Sequence, residues 1–199
     1  MQIIEGIAII DDVFSEDYCN NLISLFENNQ KKHFIGETFA GINPSTKTTK
    51  EIDLNNFSDF CNNSFAEILN TNLVQYLEEY SSDIVGNRWE VNHLFNVSTA
   101  YHFFKMQKYK KKEGHYIALH QERDAQFGGK DRVFTFMLYL NDVEEGGVTN
   151  FPLQKKSVKP KCGTLVIWPA GFPYLHNGEM PISNNKYIIT TWLEYVYEE

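Results

Sequence analysis

The 199-residue chain contains no apolar run approaching the roughly 20 residues that cross a bilayer, so no membrane span is expected. Its N-terminal apolar segment, MQIIEGIAIIDDVF, starts without basic residues and meets Asp11-Asp12 too soon for a secretory leader, which points to the cytoplasm. Cysteine is scarce. Cys19, Cys61 and Cys162 are odd in number, far apart and outside any C-x-x-C spacing, which excludes a disulfide framework or a zinc ribbon and suits free thiols in a reducing compartment. The glycosylation matches at Asn62 and Asn96 are then idle. Positive charge is short as well: 18 Lys and Arg against 26 Asp and Glu give a net charge of −8. Lys110-Lys111-Lys112 is only a local patch, so no general nucleic-acid partner is expected. No repeat, low-complexity tract or linker divides the chain, and its length suits one domain over residues 1–199.

Apolar residues make up 42% of the chain and aromatics 15%, enough for a packed core. Residues 3–10 (IIEGIAII) predict a strand, and Ser15 is placed to cap a helix carrying Tyr18, Leu22, Leu25 and Phe26 at helical spacing. Residues 31–53 are rich in Gly, Thr, Asn and Lys and predict a long loop with short extended pieces. Leu54 to Tyr80 carries apolar residues at spacings of three and four without Pro or Gly, which predicts one long helix or two joined ones. From Trp89 onward the character changes to runs of Val, Ile, Thr and aromatics between turn residues. Strands are expected at 89–97, 101–109, 116–122, 132–141, 149–151, 157–159, 164–168, 174–176 and 186–197. The expected fold is α+β: a helical N-terminal part over 1–88 packed on a double-stranded β-helix (jelly-roll) core over 89–199.

His120-Gln121-Glu122 is the stretch that carries chemistry. On a strand, residues i and i+2 share a face with α-carbons about 6.6 to 6.8 Å apart, so one metal ion is within reach of both His120 and Glu122. Asp124 has the same parity but would lie about 13 Å from His120, too far to share the ion. His176, 54 positions after Glu122, is placed to complete two imidazoles and a carboxylate, the donor set of non-haem Fe(II) oxygenases. H-x-E is common by chance, and Lys186 adds weight. Ten residues beyond His176, it heads KYIITTWLEY, where Lys186, Ile188, Thr190 and Trp192 share one face. A lysine facing an apolar interior is costly unless it meets an anion.

From about Gln107 to Trp192 the sequence resembles the Fe(II)/2-oxoglutarate-dependent oxygenases of the prolyl 4-hydroxylase type. The resemblance rests on six blocks in order: Tyr109, Gly114 and Tyr116; His120-Gln121-Glu122; R-x-x-T-x-x-x-Y-L-N from Arg132 to Asn141; G-G-x-T-x-F-P from Gly146 to Pro152; V-x-P-x-x-G from Val158 to Gly163; and His176-Asn177-Gly178 followed by Lys186. It implies that His120, Glu122 and His176 bind iron and that Lys186 pairs with the distal carboxylate of 2-oxoglutarate. It also implies that Thr135 and Tyr109 hydrogen-bond this cosubstrate and that Trp192 lines its pocket. Glu122 stands where aspartate is commoner, Val148 where many relatives have glutamate, and Tyr116 lies one residue further from the H-x-E than in many relatives.

The reaction implied is hydroxylation of a C–H bond with release of succinate and CO2, O2 being the other cosubstrate. Retention of the Glu122 carboxylate argues against halogenation. The resemblance suggests peptidyl proline, with 31–53 and 126–131 as candidate lids; a free amino acid or another protein side chain stays open. Relatives often need ascorbate, to which no residue here points. A ligand-binding jelly roll without catalysis, or a cupin-type metalloenzyme that does not use 2-oxoglutarate, is the alternative. His33, His93, His102 and His115 are expected to be structural.

Overall fold

A computed structural model describes residues 1–38, 40–61, 64–82, 98–123 and 131–196. The first expected strand is a hairpin. β1 (Gln2–Ile4) and β2 (Ile7–Ile10) fold back through Glu5-Gly6, both at positive φ, a two-residue turn whose twist suits paired strands. Ser15 caps α1 (Glu16–Asn28) by accepting the Tyr18 amide at 3.2 Å, and Cys19, Leu22 and Phe26 form the buried stripe of that helix. The short extended pieces expected within the 31–53 loop are three strands: β3 (Phe34–Ile35), β4 (Lys47–Thr48) and β5 (Lys50–Asp53). The N-terminal part is therefore not simply helical. These strands are too short and polar to show a periodicity of two, and they exist because later strands offer them partners. α2 (Ser58–Cys61) and α3 (Ser64–Ser82) are the two joined helices read from residues 54–80.

The remaining strands are β6 (Thr99–Tyr101), β7 (Lys105–Tyr109), β8 (His115–His120), β9 (Arg132–Tyr139), β10 (Thr149–Phe151), β11 (Lys156–Val158), β12 (Leu165–Pro169), β13 (His176–Gly178) and β14 (Lys186–Tyr195). The single strand expected over 101–109 is split, because β6 pairs with residues 193–195 of β14 while β7 pairs with its residues 186–190. The expected strand at 89–97, with His93, lies outside the described residues, as does Asp124.

Two sheets form. The larger runs β1-β2-β12-β9-β14-β7-β5-β3, with β6 also on β14; the smaller runs β11-β10-β13-β8-β4. The central strands of the larger sheet, β9, β12 and β14, are buried on both faces and divide their side chains by parity. Phe134, Phe136 and Leu138 of β9, Leu165 and Ile167 of β12, and Ile189 and Leu193 of β14 pack with Phe26, Leu69, Leu73 and Tyr76 of the helices. The alternate residues Met137, Tyr139, Val166, Trp168 and Ile188 face Phe151 and Val158 of the smaller sheet. Tyr76 ties the helix layer to the hairpin, its hydroxyl donating to the Gly6 carbonyl at 2.8 Å. This double-stranded β-helix with helices on one outer face is the α+β architecture expected, and the space between its sheets holds the site.

Candidate active site

β8 and β13 pair antiparallel with His176 directly opposite His120, so the two imidazoles lie side by side with ring centroids 4.2 Å apart. Glu122 is not on the strand as expected, because β8 ends at His120. The chain turns there, and the Glu122 and Arg123 amides both donate to the Ala170 carbonyl, at 2.9 and 3.0 Å. The turn brings Glu122 Oε1 to 3.7 Å from His120 Nε2 and 3.4 Å from His176 Nε2. One donor atom from each of the three residues lies within 4.8 Å of the others. Asp124 has no described position.

The protonation pattern suits a cation. His120 Nδ1 lies 2.9 Å from the Ala118 carbonyl and His176 Nδ1 3.1 Å from the Tyr174 carbonyl; a carbonyl only accepts, so each Nδ1 carries the proton and each Nε2 presents a lone pair. Burial, then the neighbouring His176, holds the His120 imidazole below its ordinary pKa and keeps it neutral. Two lone pairs and a carboxylate facing one point repel unless a positive ion sits among them. The donor set, the tautomers and the spacing fit a divalent metal.

The second carboxylate oxygen is held away from that point. Glu122 Oε2 accepts from Trp192 Nε1 at 3.0 Å and Arg132 Nη1 at 3.2 Å, and the Arg132 guanidinium stacks 3.8 Å over the Trp192 ring while its Nε reaches Glu194 at 3.3 Å. Trp192 thus does more than line a pocket: it orients Glu122. Arg132 was missed as a site residue, although it opens the R-x-x-T block. Tyr116 stacks on His120 with centroids 3.8 Å apart, so its extra residue of separation leaves it against the site. Phe151 and Trp168 pack on the His176 ring at 5.5 and 5.0 Å.

A cavity of about 580 Å³ opens from this point between the sheets, and Lys186, Ile188, Thr190 and Trp192 all line it, as their shared parity requires. The Lys186 ammonium is 1% exposed; it donates to the Gly147 carbonyl at 2.8 Å and lies 4.6 Å over the ring of Tyr109, its cross-strand partner. Gly146 and Gly147 both have φ near +70°, a conformation that costs residues with a Cβ, and this turn aims the Gly147 carbonyl at the lysine. Burial pushes the Lys186 ammonium down to about 7, with Glu179 offsetting only part of the shift. Thr149 lines the cavity and accepts from the Tyr139 hydroxyl at 2.8 Å. Thr135 is fully buried, lies opposite Trp168 and Trp192 in the sheet, and shares the inward parity of Met137 and Tyr139. Its hydroxyl has no protein partner among the described residues.

The outer wall, which sequence reasoning missed, comes from the stretch expected as a loop. Lys47 Nζ meets Glu51 Oε1 at 2.7 Å, and both side chains are almost fully buried. Lys105 and Gln107 of β7 join them. Of the histidines expected to be structural, His33 bonds the Phe26 carbonyl at 2.8 Å and His115 that of Glu113 at 2.8 Å.

The sequence model of the 2OG-Fe(II) oxygenase superfamily matches residues 104–194. The chain is 34% identical over 118 residues to the probable prolyl 4-hydroxylase 10 of Arabidopsis thaliana, a match covering 46% of this chain and 39% of that protein. It therefore spans about two fifths of that relative's length. Among solved structures, it superposes on the viral collagen prolyl hydroxylase of Paramecium Bursaria Chlorella virus-1 in its 2OG complex with a TM-score of 0.66 at 19% identity, covering 96% of this chain and 97% of that one. A prolyl-4-hydroxylase of Pseudomonas putida gives a TM-score of 0.68 at 14% identity, covering 96% and 94%. The structures establish the shared fold, and the sequence match spans His120, Glu122, His176 and Lys186: over residues 104–194 the chain is similar to the 2OG-Fe(II) oxygenase superfamily.

Proposed function

We propose that this chain is an Fe(II)- and 2-oxoglutarate-dependent dioxygenase that hydroxylates a C–H bond, with a prolyl residue of a peptide as the target and succinate and CO2 as coproducts. The observation that carries this reading is the buried Lys186 ammonium on the same cavity as the convergent His120, Glu122 and His176 donors. A metal site alone does not require that cation; a site for a dicarboxylate does. Neither a cupin-type metalloenzyme nor a passive binding jelly roll accounts for it.

His120, Glu122 and His176 would hold the iron, with the two Nε2 atoms and Glu122 Oε1 as the convergent donors. When bound, the iron with 2-oxoglutarate and O2 supplies the oxidising power that places an oxygen atom in the C–H bond. Lys186 pairs with the distal carboxylate of 2-oxoglutarate, exchanging its contact to one carbonyl for a full ion pair, and Tyr109 closes the ring side of that subsite. Trp192 and Arg132 fix the free oxygen of Glu122, which keeps that carboxylate from rotating away from the metal. The Thr135 hydroxyl, buried and without a protein partner among the described residues, is available to hydrogen-bond 2-oxoglutarate. The cytoplasm suits the unpaired Cys19 and Cys162 thiols.

Incubation with Fe(II), 2-oxoglutarate, O2 and pools of prolyl peptides tests the reading. Succinate and a peptide heavier by one oxygen should appear in equal amounts, and Glu122→Ala should abolish both. Succinate formation by Glu122→Ala at the parent rate would remove the carboxylate from the metal and the reading with it.

A further inference from the structure

The cavity wall away from Lys186 carries more positive charge than its neighbours neutralise. Among the described residues, Lys47 and Lys105 are ion-paired to one carboxylate, Glu51. Oε1 of that carboxylate is saturated: it accepts from Lys47 at 2.7 Å, from the Gln107 amide at 2.8 Å and from the Thr49 hydroxyl at 2.9 Å. Lys47 also donates to the Glu37 carbonyl at 3.0 Å. Lys105 is the cation left over. Its Nζ stands 3.6 Å from Glu51 Oε2, attracted but beyond a good hydrogen bond, and 5.3 Å over the Trp192 ring, with its side chain only 17% exposed. No hydrogen-bond acceptor is recorded for it among the described residues. Glu37, the other carboxylate on this wall, is exposed and forms no ion pair among the described residues.

Both cations look onto the reacting point through one ring each. Lys105 lies over Trp192, whose indole holds Glu122, and Lys47 lies 5.1 Å over Tyr116, which stacks on His120. Arg132 does not share this task, since Glu122 and Glu194 already neutralise it. A partly buried ammonium short of acceptors beside an open cavity is costly, and an entering anion removes the cost.

We infer that Lys105, supported by Lys47, forms a carboxylate-binding subsite on the substrate side of the cavity, so that the group oxidised lies next to a carboxylate. This rests on the hydroxylase reading above and makes Lys105 a specificity-determining residue. The carboxylate belongs either to an acidic side chain flanking the target in a peptide or to the α-carboxylate of a free amino acid, and the two are separable by experiment.

The protein is loaded anaerobically with Fe(II) and 2-oxoglutarate and titrated calorimetrically. One arm uses prolyl peptides carrying Glu or Gln at each position flanking proline; the other uses free amino acids and their carboxamides. The carboxylate member of at least one matched pair should bind about tenfold more tightly than its amide twin. The ratio should fall to about one in Lys105→Met and return in Lys105→Arg, and in Lys105→Glu a lysine-bearing peptide should bind better than the glutamate peptide. The arm that shows the ratio identifies the source. Equal binding, or none, within every pair of both arms overturns the inference, as does a ratio that persists in Lys105→Met. The visible absorption of the Fe(II)–2-oxoglutarate complex is recorded for each protein beforehand. Its presence with no carboxylate preference defeats the subsite alone, and its absence defeats the hydroxylase reading.

Discussion

Lys186 is a cation in a place that penalises cations, and that gives its ligand a pH dependence. Its folded value of about 7 lies below the ordinary 10.5, so between these values the folded chain binds fewer protons than the unfolded one. Stability therefore rises with pH across that window, and the Lys186 contribution is lost as pH falls through about 7. A carboxylate ligand needs the ammonium form. Affinity for 2-oxoglutarate, measured by calorimetry, should therefore fall by about tenfold per pH unit above pH ~7; a flat profile from pH 7 to 9 would show that no such pairing occurs. Trp192 supports a different prediction. Trp192→Phe keeps the ring under Arg132 but removes the N–H to Glu122, so Fe(II) affinity should drop about 10- to 100-fold with the fold intact by circular dichroism. Unchanged affinity would return Trp192 to the mere lining role that the motif suggested.

At the scale of elements, the site depends on a cross-strand pair and a two-glycine turn. His120 and His176 meet because β8 and β13 pair in that register, and the Gly146-Gly147 turn presents the carbonyl that Lys186 uses. A Cβ at Gly146 would come within 2.4 Å of the Met180 carbonyl oxygen, at a φ that L-residues avoid. Gly146→Ala should cost about 2 kcal/mol or more in denaturant unfolding and weaken 2-oxoglutarate binding along with it; loss of neither would show that the turn adapts freely.

Much of this was readable in advance because spacing carries it. The parity of Lys186, Ile188, Thr190 and Trp192 follows from a strand's period of two, and all four line the cavity. Glu122 joins His120 and His176 although its position does not satisfy the strand argument, since it lies past the strand end and its amide is held by the Ala170 carbonyl, a contact no local pattern announces. Lys47 and Glu51, which gather beside Lys105, were invisible for a related reason. Strands of two to four polar residues have no periodicity to detect, and their charges meet only through pairing with distant β7 and β8.

At the scale of the whole molecule, overall and local charge have opposite signs. The chain carries −8, yet Lys47, Lys105, Arg132 and Lys186 all line one cavity. Composition argued against nucleic acid as a general partner but could not foresee where the cations would gather. The helix layer is support rather than machinery. Leu69, fully buried between α3 and the outer face of the larger sheet, is remote from the cavity-lining residues in the division of side chains by parity. Leu69→Ala should lower unfolding free energy by roughly 2–5 kcal/mol while leaving Fe(II) affinity of the folded protein within about twofold. A selective loss of metal binding without loss of stability would assign the helices a direct part in the site.

The central claim is that one cavity holds a metal on His120, Glu122 and His176 and a dicarboxylate on Lys186. Anaerobic titration of the Fe(II)-loaded protein with 2-oxoglutarate, followed by visible absorption, tests it most directly. A weak charge-transfer band should appear and saturate, and Lys186→Ala should require about 10- to 100-fold more 2-oxoglutarate to reach the same band. No band in the parent protein, or an identical titration curve in Lys186→Ala, would contradict it.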